Sequence, residues 1–263
     1  MTVQEIPHAT SRKRSGRMLA VLDLLESRDH VSLSDLVREL DVSPATVRRD
    51  LADLEEQGML VRTHGGARAA SRAEVPVRLR DSQYREAKQR IARRAATLIP
   101  PGPYSVAISG GTTTAEVAKV LATRPELAIV TNALTTAMEI ASRPNLKVIL
   151  TGGVVRPSSF ESVGVIAENT FNAINVGTAI LGTDGISASG GATTHDETEA
   201  RTNSAMVRHA QRVVVVADGS KVGRVTLARM AEIDEVHVLV TDASADREEL
   251  ARIERRGIEV LVV

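Results

Sequence analysis

The sequence predicts an α/β protein in two parts: a small N-terminal unit of short helices closed by a hairpin, then a doubly wound parallel sheet. Three observations predict this. Apolar residues recur at helical spacing in three short runs between Arg17 and Gly58. After Pro103, short all-apolar strands alternate with helical patterns, the signature of a parallel sheet covered by helices. The length, 263 residues, suffices for one large domain or two ordinary ones. The boundaries read from these patterns are 12–70 for the first unit, 71–102 for a linker with a connecting helix, and 103–263 for the second.

In RMLAVLDLLESR, Met18, Leu22 and Leu25 fall at helical spacing with Val21 and Leu24 beside them. A break at Asp29-His30 leads into VSLSDLVREL, where Leu33, Leu36, Val37 and Leu40 share a face. After the turn Asp41-Val42, Ser43 is placed to cap a third helix. Pro44 takes its first position, Gly58 stops it, and Val47, Leu51 and Leu54 form the inward stripe. MLVRTHGGAR then reads as a hairpin turning at Gly65-Gly66.

Three helices followed by a hairpin have the organisation of a winged helix-turn-helix, whose third helix enters the major groove of DNA. Ser43, Thr46, Arg48 and Arg49 lie at the N-terminal end of that helix, and Arg62 and His64 lie in the hairpin. Arginine there can bond guanine in bidentate fashion or clamp phosphate. These six are the candidate DNA contacts, and Arg12, Lys13, Arg14 and Arg17 form a basic arm beside them. The alternative is a small helical bundle with a solvated arginine face. Net charge does not decide between them: 33 Lys+Arg balance 33 Asp+Glu, and Glu55 and Glu56 offset the arginines locally.

The segment SRAEVPVRLRDSQYREAKQRIARRAATLIPPGP contains a helix whose apolar stripe is Ile91, Ala95 and Leu98, either a connection or a packing helix. From there YSVAIS, LAIVT, LKVILTGG, VGTAILGTDG, RVVVVADGSK, EVHVLVTD and IEVLVV read as strands. Sheets of this kind bind ligands at the carboxyl ends of their strands. The first strand ends in Ser109, Gly110, Gly111, Thr112, Thr113 and Thr114, a glycine-threonine turn opening a helix. Backbone N–H groups and the helix dipole favour an anion there. It is neither a Walker motif nor GxGxxG. Other strand ends supply Thr131, Asn132, Gly152, Gly153, Arg156, Asp184, Asp218, Ser220 and Lys221. Taken singly, each can be a loop residue satisfying backbone groups, and for a lone Asp or Lys that is the favoured reading. Together they suit a polyhydroxylated anion such as a sugar phosphate.

Composition narrows the classes further. With no cysteine, the chain has no disulfide, thiol nucleophile or Cys-ligated metal. Tyr84, Tyr104, Phe160 and Phe171 are its only aromatic residues by the Phe/Tyr/Trp count, too few for base-stacking on single strands. No run is long and apolar enough for a membrane span, and the start has no signal-peptide pattern, so a cytoplasmic protein is expected.

These pieces carry a resemblance. VSPATVRRDLADLEEQGMLVRTHGGA resembles the signature of the DeoR family of bacterial transcriptional regulators, in VSxxTxRRDL, LExxG, the wing arginine and the closing HGGA. GTTT, VTN, LTGG with Arg156, GxDG and DxSK resemble, in order, the family's C-terminal sensor domain. The resemblance implies a dimeric or higher homo-oligomer that binds double-stranded operator DNA and represses a sugar or carbohydrate operon. A phosphorylated sugar or related anionic metabolite would relieve repression, and the sensor fold would be similar to ribose-5-phosphate isomerase. It places Ser43, Thr46, Arg48, Arg49 and Asp50 on the recognition helix; Asp50 would repel phosphate, so it either orients an arginine or caps structure. It gives Gly111 to Thr114 as the phosphate loop, with Lys221, Asp184 and Glu199 as further effector contacts. Many members carry Asp where this chain has Ser109. No cofactor, metal, membrane or catalysis is implied. The competing reading is a sugar-phosphate isomerase-like enzyme with an accessory domain, its general base among Asp184, Asp196, Glu197 and Glu199. A regulator that activates is a third.

Overall fold

The computed structural model describes residues 12–70, 75–80, 83–144 and 146–263. Residues 71–74, 81 and 82 of the expected linker, and the side chain of Arg12 in the basic arm, lie outside the described residues. The chain divides into two compact units, one ending at Gln83 and one spanning Tyr84–Val263.

In the first unit, helix α1 (Arg12–Ser27) is followed by strand β1 (His30–Ser32), α2 (Leu33–Leu40) and α3 (Pro44–Glu56). Strands β2 (Leu60–Thr63) and β3 (Gly66–Ala69) form the hairpin, and a short α4 (Val77–Arg80) closes the unit. The start of α3 follows from Ser43, whose Oγ accepts the Thr46 N–H at 3.3 Å with Pro44 next in the chain. Its end is set by Gly58 at φ 70. Gly58 N–H donates to Glu55 O and Met59 N–H to Leu54 O, both at 2.8 Å, satisfying the last carbonyls. Met18, Val21, Leu25, Leu36, Val47, Leu51, Leu54 and Leu60 are all buried in one core. Truncating one such leucine to alanine costs about 2–5 kcal/mol.

The hairpin turns at His64-Gly65, one residue earlier than the expected Gly65-Gly66, because Gly66 is a strand residue paired with both Thr63 and Ser32. A Cβ at Gly66 would overlap the carbonyl oxygen of Val31. Glycine is therefore what lets β1 join as a third antiparallel strand, in the order β1-β3-β2.

The second unit opens with α5 (Arg85–Ala96), then β4 (Tyr104–Ile108), α6 (Thr112–Leu121), β5 (Leu127–Thr131), α7 (Leu134–Ile140) and β6 (Lys147–Leu150). A small antiparallel pair, β7 (Val154–Val155) and β8 (Ser162–Val163), precedes α8 (Val165–Asn172) and β9 (Val176–Gly182). There follow β10 (Gly185–Ser187), β11 (Gly191–Thr194), α9 (Glu197–Arg208), β12 (Ala210–Val216), β13 (Ala228–Ala231), β14 (Val238–Thr241), α10 (Arg247–Glu254) and β15 (Glu259–Val262). Seven strands form one parallel sheet in the order β15-β14-β12-β9-β4-β5-β6, while β10, β11 and β13 make a small sheet of their own.

The strand period of two sorts the core. Val213 and Val215 join Ala179, Leu181, Ala205, Met206 and Ile253 on one face. Val214 and Val216 join Ile108, Ile180, Val117 and Leu121 on the other. Ile91, Ala92 and Ala95 of α5 are fully buried in that second core, so the helix expected within the linker is a covering helix of the sheet. Chain order reverses between β4 and β9: β5 and β6 are added on one side of β4, and the later strands on the other. That is the topological switch point, where the loops leaving two neighbouring strands part to opposite faces and leave a crevice.

Candidate functional site

Helix α3 presents two faces with different chemistry. Val47, Leu51 and Leu54 point inward, and Arg48 and Arg49 are exposed with no ion-pair partner among the described residues. The exposed Ser43 and half-buried Thr46 hydrogen-bond each other through their hydroxyls at 3.0 Å, so both build the helix start they would present to a ligand.

Asp50 has its own role. It is 1% exposed and takes charge-assisted hydrogen bonds from α1: Arg14 Nε to Oδ1 at 3.3 Å, Arg17 Nη2 to the same oxygen at 3.2 Å, and Arg17 Nε to Oδ2. Arg14 also pairs with Asp53. The hydrogen bond to Asp50 raises the Arg17 guanidinium above its ordinary value, burial opposing it. Arg14 and Arg17, expected in a basic arm free to meet phosphate, instead tie α1 to the third helix. In the hairpin, Arg62 Nε bonds Glu55 at 2.6 Å and its N–H donates to the other carboxylate oxygen at 3.0 Å, so the wing is fastened to α3. These bonds from Arg62 hold the Glu55 carboxyl below its usual range. His64 is exposed in the turn.

At the carboxyl edge of the sheet, Ser109 is buried, donating to Gly110 O at 3.2 Å and accepting the Gly182 N–H at 3.0 Å. It joins the ends of β4 and β9 at the switch point. Gly111, at φ 121, begins α6, and no side chain caps that helix. The first helical bond runs from Ala115 N–H to Gly111 O, so the N–H groups of Thr112, Thr113 and Thr114 have no helical acceptor. Thr113 and Thr114 are buried, and Thr114 Oγ1 bonds Gly111 O at 2.9 Å. Thr131 is a brace, donating to Ile108 O at 2.7 Å and accepting from Ala133 N–H. Asn132 is fully buried; its Nδ2 donates to Asn203 at 3.3 Å and its Oδ1 has no hydrogen-bond partner. Gly152 and Gly153 follow β6 on the exposed edge, Gly153 at φ 132.

Arg156, Asp184 and Glu199 gather in one network. Arg156 pairs with Glu199, lies 3.4 Å from Asp196, and donates to Ser159 Oγ at 3.2 Å. Thr194 Oγ1 sits between two carboxylates, 2.7 Å from Glu199 and 3.1 Å from Asp184, with a single proton to share between them. His195 Nδ1 lies 2.9 Å from Asp184. Burial pushes the Glu199 carboxyl well up, and the Glu161 charge and then Asp184 add to this, outweighing the Thr194 hydrogen bond and Arg156. Lys221 is half-buried on the turn Gly219–Lys221, capped by Asp218 accepting the Ser220 N–H at 3.1 Å. The next residue, Val222, bridges to Ile186, so this turn runs beside the strand that follows Asp184.

Three participants carry no signal in the linear pattern. Glu161 is 2% exposed and its Oε1 accepts the Gly110 N–H at 2.6 Å, although 51 residues separate the two. Thr194 and His195 stand at the end of β11, a strand too short and polar to read from periodicity.

One unit thus presents exposed Arg48 and Arg49 on α3, and the other an uncapped helix start at the carboxyl edge of a parallel sheet. A family model described as the DeoR-like helix-turn-helix domain matches residues 17–73, and one described as the DeoR C terminal sensor domain matches residues 83–243. The chain belongs to the DeoR family. It is similar to the glycerol-3-phosphate regulon repressor of Escherichia coli K12, at 36% identity over 88% of this chain and 92% of that one. Similarity to the HTH-type transcriptional regulator GlpR of Haloferax volcanii is 35% over 93% and 96% of the two chains. The HTH-type transcriptional repressor CsqR of Escherichia coli K12 is 30% identical over 92% and 93%. As a DeoR-family member the chain is a DNA-binding transcriptional regulator. Among solved structures, ribose 5 phosphate isomerase A of Neisseria gonorrhoeae aligns at TM-score 0.37 and 16% identity over 54% of this chain and 53% of that one, a likeness too slight to support any argument. Among the described residues, no helix of this DeoR-family protein is long and apolar enough to cross a membrane.

Proposed function

We propose that the protein is a cytoplasmic, homo-oligomeric repressor that reads operator DNA through Arg48, Arg49 and the wing, and that a phosphorylated sugar or related polyol phosphate releases it. The observation that carries the effector half is the uncapped start of α6 at the switch point, where three successive threonine N–H groups lack helical acceptors. Backbone donors on a helix N-terminus suit a phosphate, and the network around Arg156, Asp184 and Glu199 offers acceptors and a cation to the hydroxyls of the same ligand. Names among the relatives, a glycerol-3-phosphate regulon among them, agree with a phosphorylated small polyol. The enzyme reading would rest on Glu199, whose raised carboxyl is suited to holding a proton. The regulator reading is preferred because the two family models that match the chain describe a helix-turn-helix domain and a sensor domain.

Effector and DNA compete by linkage: an inducer that weakens operator binding by some factor, typically about 5- to 150-fold, must itself bind DNA-free protein more tightly by the same factor. Lys221→Ala and Thr113→Val should bind operator like the parent yet need more of the phosphate ester to release it. A normal release midpoint in both, with lowered melting temperature, would make these residues structural only. Turnover of any pentose or hexose phosphate at roughly 1 per second or more would establish the enzyme reading instead.

A further inference from the structure

The amide just before the phosphate loop, that of Gly110, is already occupied by the protein's own carboxylate. Glu161 Oε1 accepts the Gly110 N–H at 2.6 Å, and among the described residues Glu161 has no ion-pair partner. Its side chain packs so tightly on Gly110 that a Cβ there would overlap it. The connection between β7 and β8 delivers it. Phe160 takes the left-handed conformation, φ 54, which residues other than glycine rarely adopt. Phe160 N–H donates to Arg156 O and Arg156 N–H to Glu161 O, both at 2.9 Å, while Ser162 N–H holds Asn132 O at 2.7 Å. Among the described residues this is a buried carboxylate with no ion-pair partner, held by a left-handed turn against an amide next to an uncapped helix start.

We propose that Glu161 is an internal competitor for the phosphate loop, and that it sets the loop's selectivity by excluding monoanions. This rests on the reading of α6 as the effector's anion site. A tethered carboxylate competes at an effective concentration of roughly millimolar. A free carboxylate that replaces it exchanges one single charge for another and gains nothing. A phosphate dianion carries more charge and enough oxygens to span the Gly110 amide together with those of Thr112 to Thr114, so it displaces Glu161. Displacement also unlocks the turn that carries Arg156, the partner of Glu199 and Asp196, so anion entry reaches the acidic network.

The test titrates inorganic phosphate, with acetate as the monoanion, into the full-length protein and its Glu161→Gln and Glu161→Ala variants. The pH is one at which phosphate is mostly dianionic. Amide chemical shifts of Gly110 to Thr114 report binding at the loop, and far-ultraviolet circular dichroism confirms that each variant is folded. The alanine variant should bind phosphate at a clearly lower midpoint, since the tethered carboxylate that competes for the Gly110 amide is gone. Glutamine, neutral but still an acceptor, should fall between, and acetate should shift the loop amides only in the alanine variant. If phosphate moves the loop amides with the same midpoint in all three proteins, Glu161 is a brace and the proposal fails while the anion site stands. If phosphate moves them in none, the anion site fails and the competitor role with it.

Discussion

Replacing Asp50 with asparagine keeps the shape and removes the charge that joins α1 to the recognition helix. Asp50 is 1% exposed, and its three hydrogen bonds come from guanidinium groups whose side chains are 31% (Arg14) and 19% (Arg17) exposed. Removing one partner from a fully buried ion pair costs about 3–5 kcal/mol. Here the arginines can regain water and asparagine still offers one acceptor, which brings the expected loss to about 2 kcal/mol, near one charged hydrogen bond. Near-ultraviolet melting would miss it, since all four Phe and Tyr residues lie at Tyr84 or beyond. Amide hydrogen exchange in α1 and α3 reads it directly: 2 kcal/mol is roughly a 30-fold faster exchange through opening of the unit. Operator affinity should fall with it, because the helix carrying Arg48 and Arg49 loses its anchor. Exchange within about twofold of the parent would refute the reasoning, since a bridge worth less than about 0.5 kcal/mol orients nothing.

Arg48→Ala and Arg49→Ala should each cost about 1–3 kcal/mol of operator binding where the side chain reads a base, with exchange in α3 unchanged. A competition assay against nonspecific DNA separates base reading from phosphate clamping, which weakens both together. Glu199 predicts a pH dependence whose sign follows from its raised carboxyl. The folded form keeps a proton that the unfolded chain releases above about pH 4.3, so this group destabilises the sensor unit as pH rises from there through its folded value. Calorimetric melting against pH should show that decline in the parent and a flatter profile in Glu199→Gln; parallel profiles would mean that Glu199 is ionised at no cost.

The linear sequence determined what depends on local periodicity and chain punctuation. The third helix was legible from Ser43, Pro44 and Gly58, because capping and stop residues act within a few bonds of the backbone groups they satisfy. The parallel sheet was legible because strands buried on both faces must be apolar throughout, and the loop at Gly111 because a glycine before threonines marks an uncapped helix start. Tertiary structure decided which charges are available. Arg14, Arg17 and Arg62 look like DNA-facing cations in sequence, yet each is engaged by an acid 7 to 39 residues away, Asp50 or Asp53 for the first two and Glu55 for Arg62. Arg48 and Arg49 lie on the exposed face of α3, with no ion-pair partner among the described residues. Glu161 reaches Gly110 across 51 residues through a turn that no periodicity encodes. Hydrophobic pattern is a property of neighbours along the chain, whereas the partner of a charge is whatever group folding brings within hydrogen-bond distance.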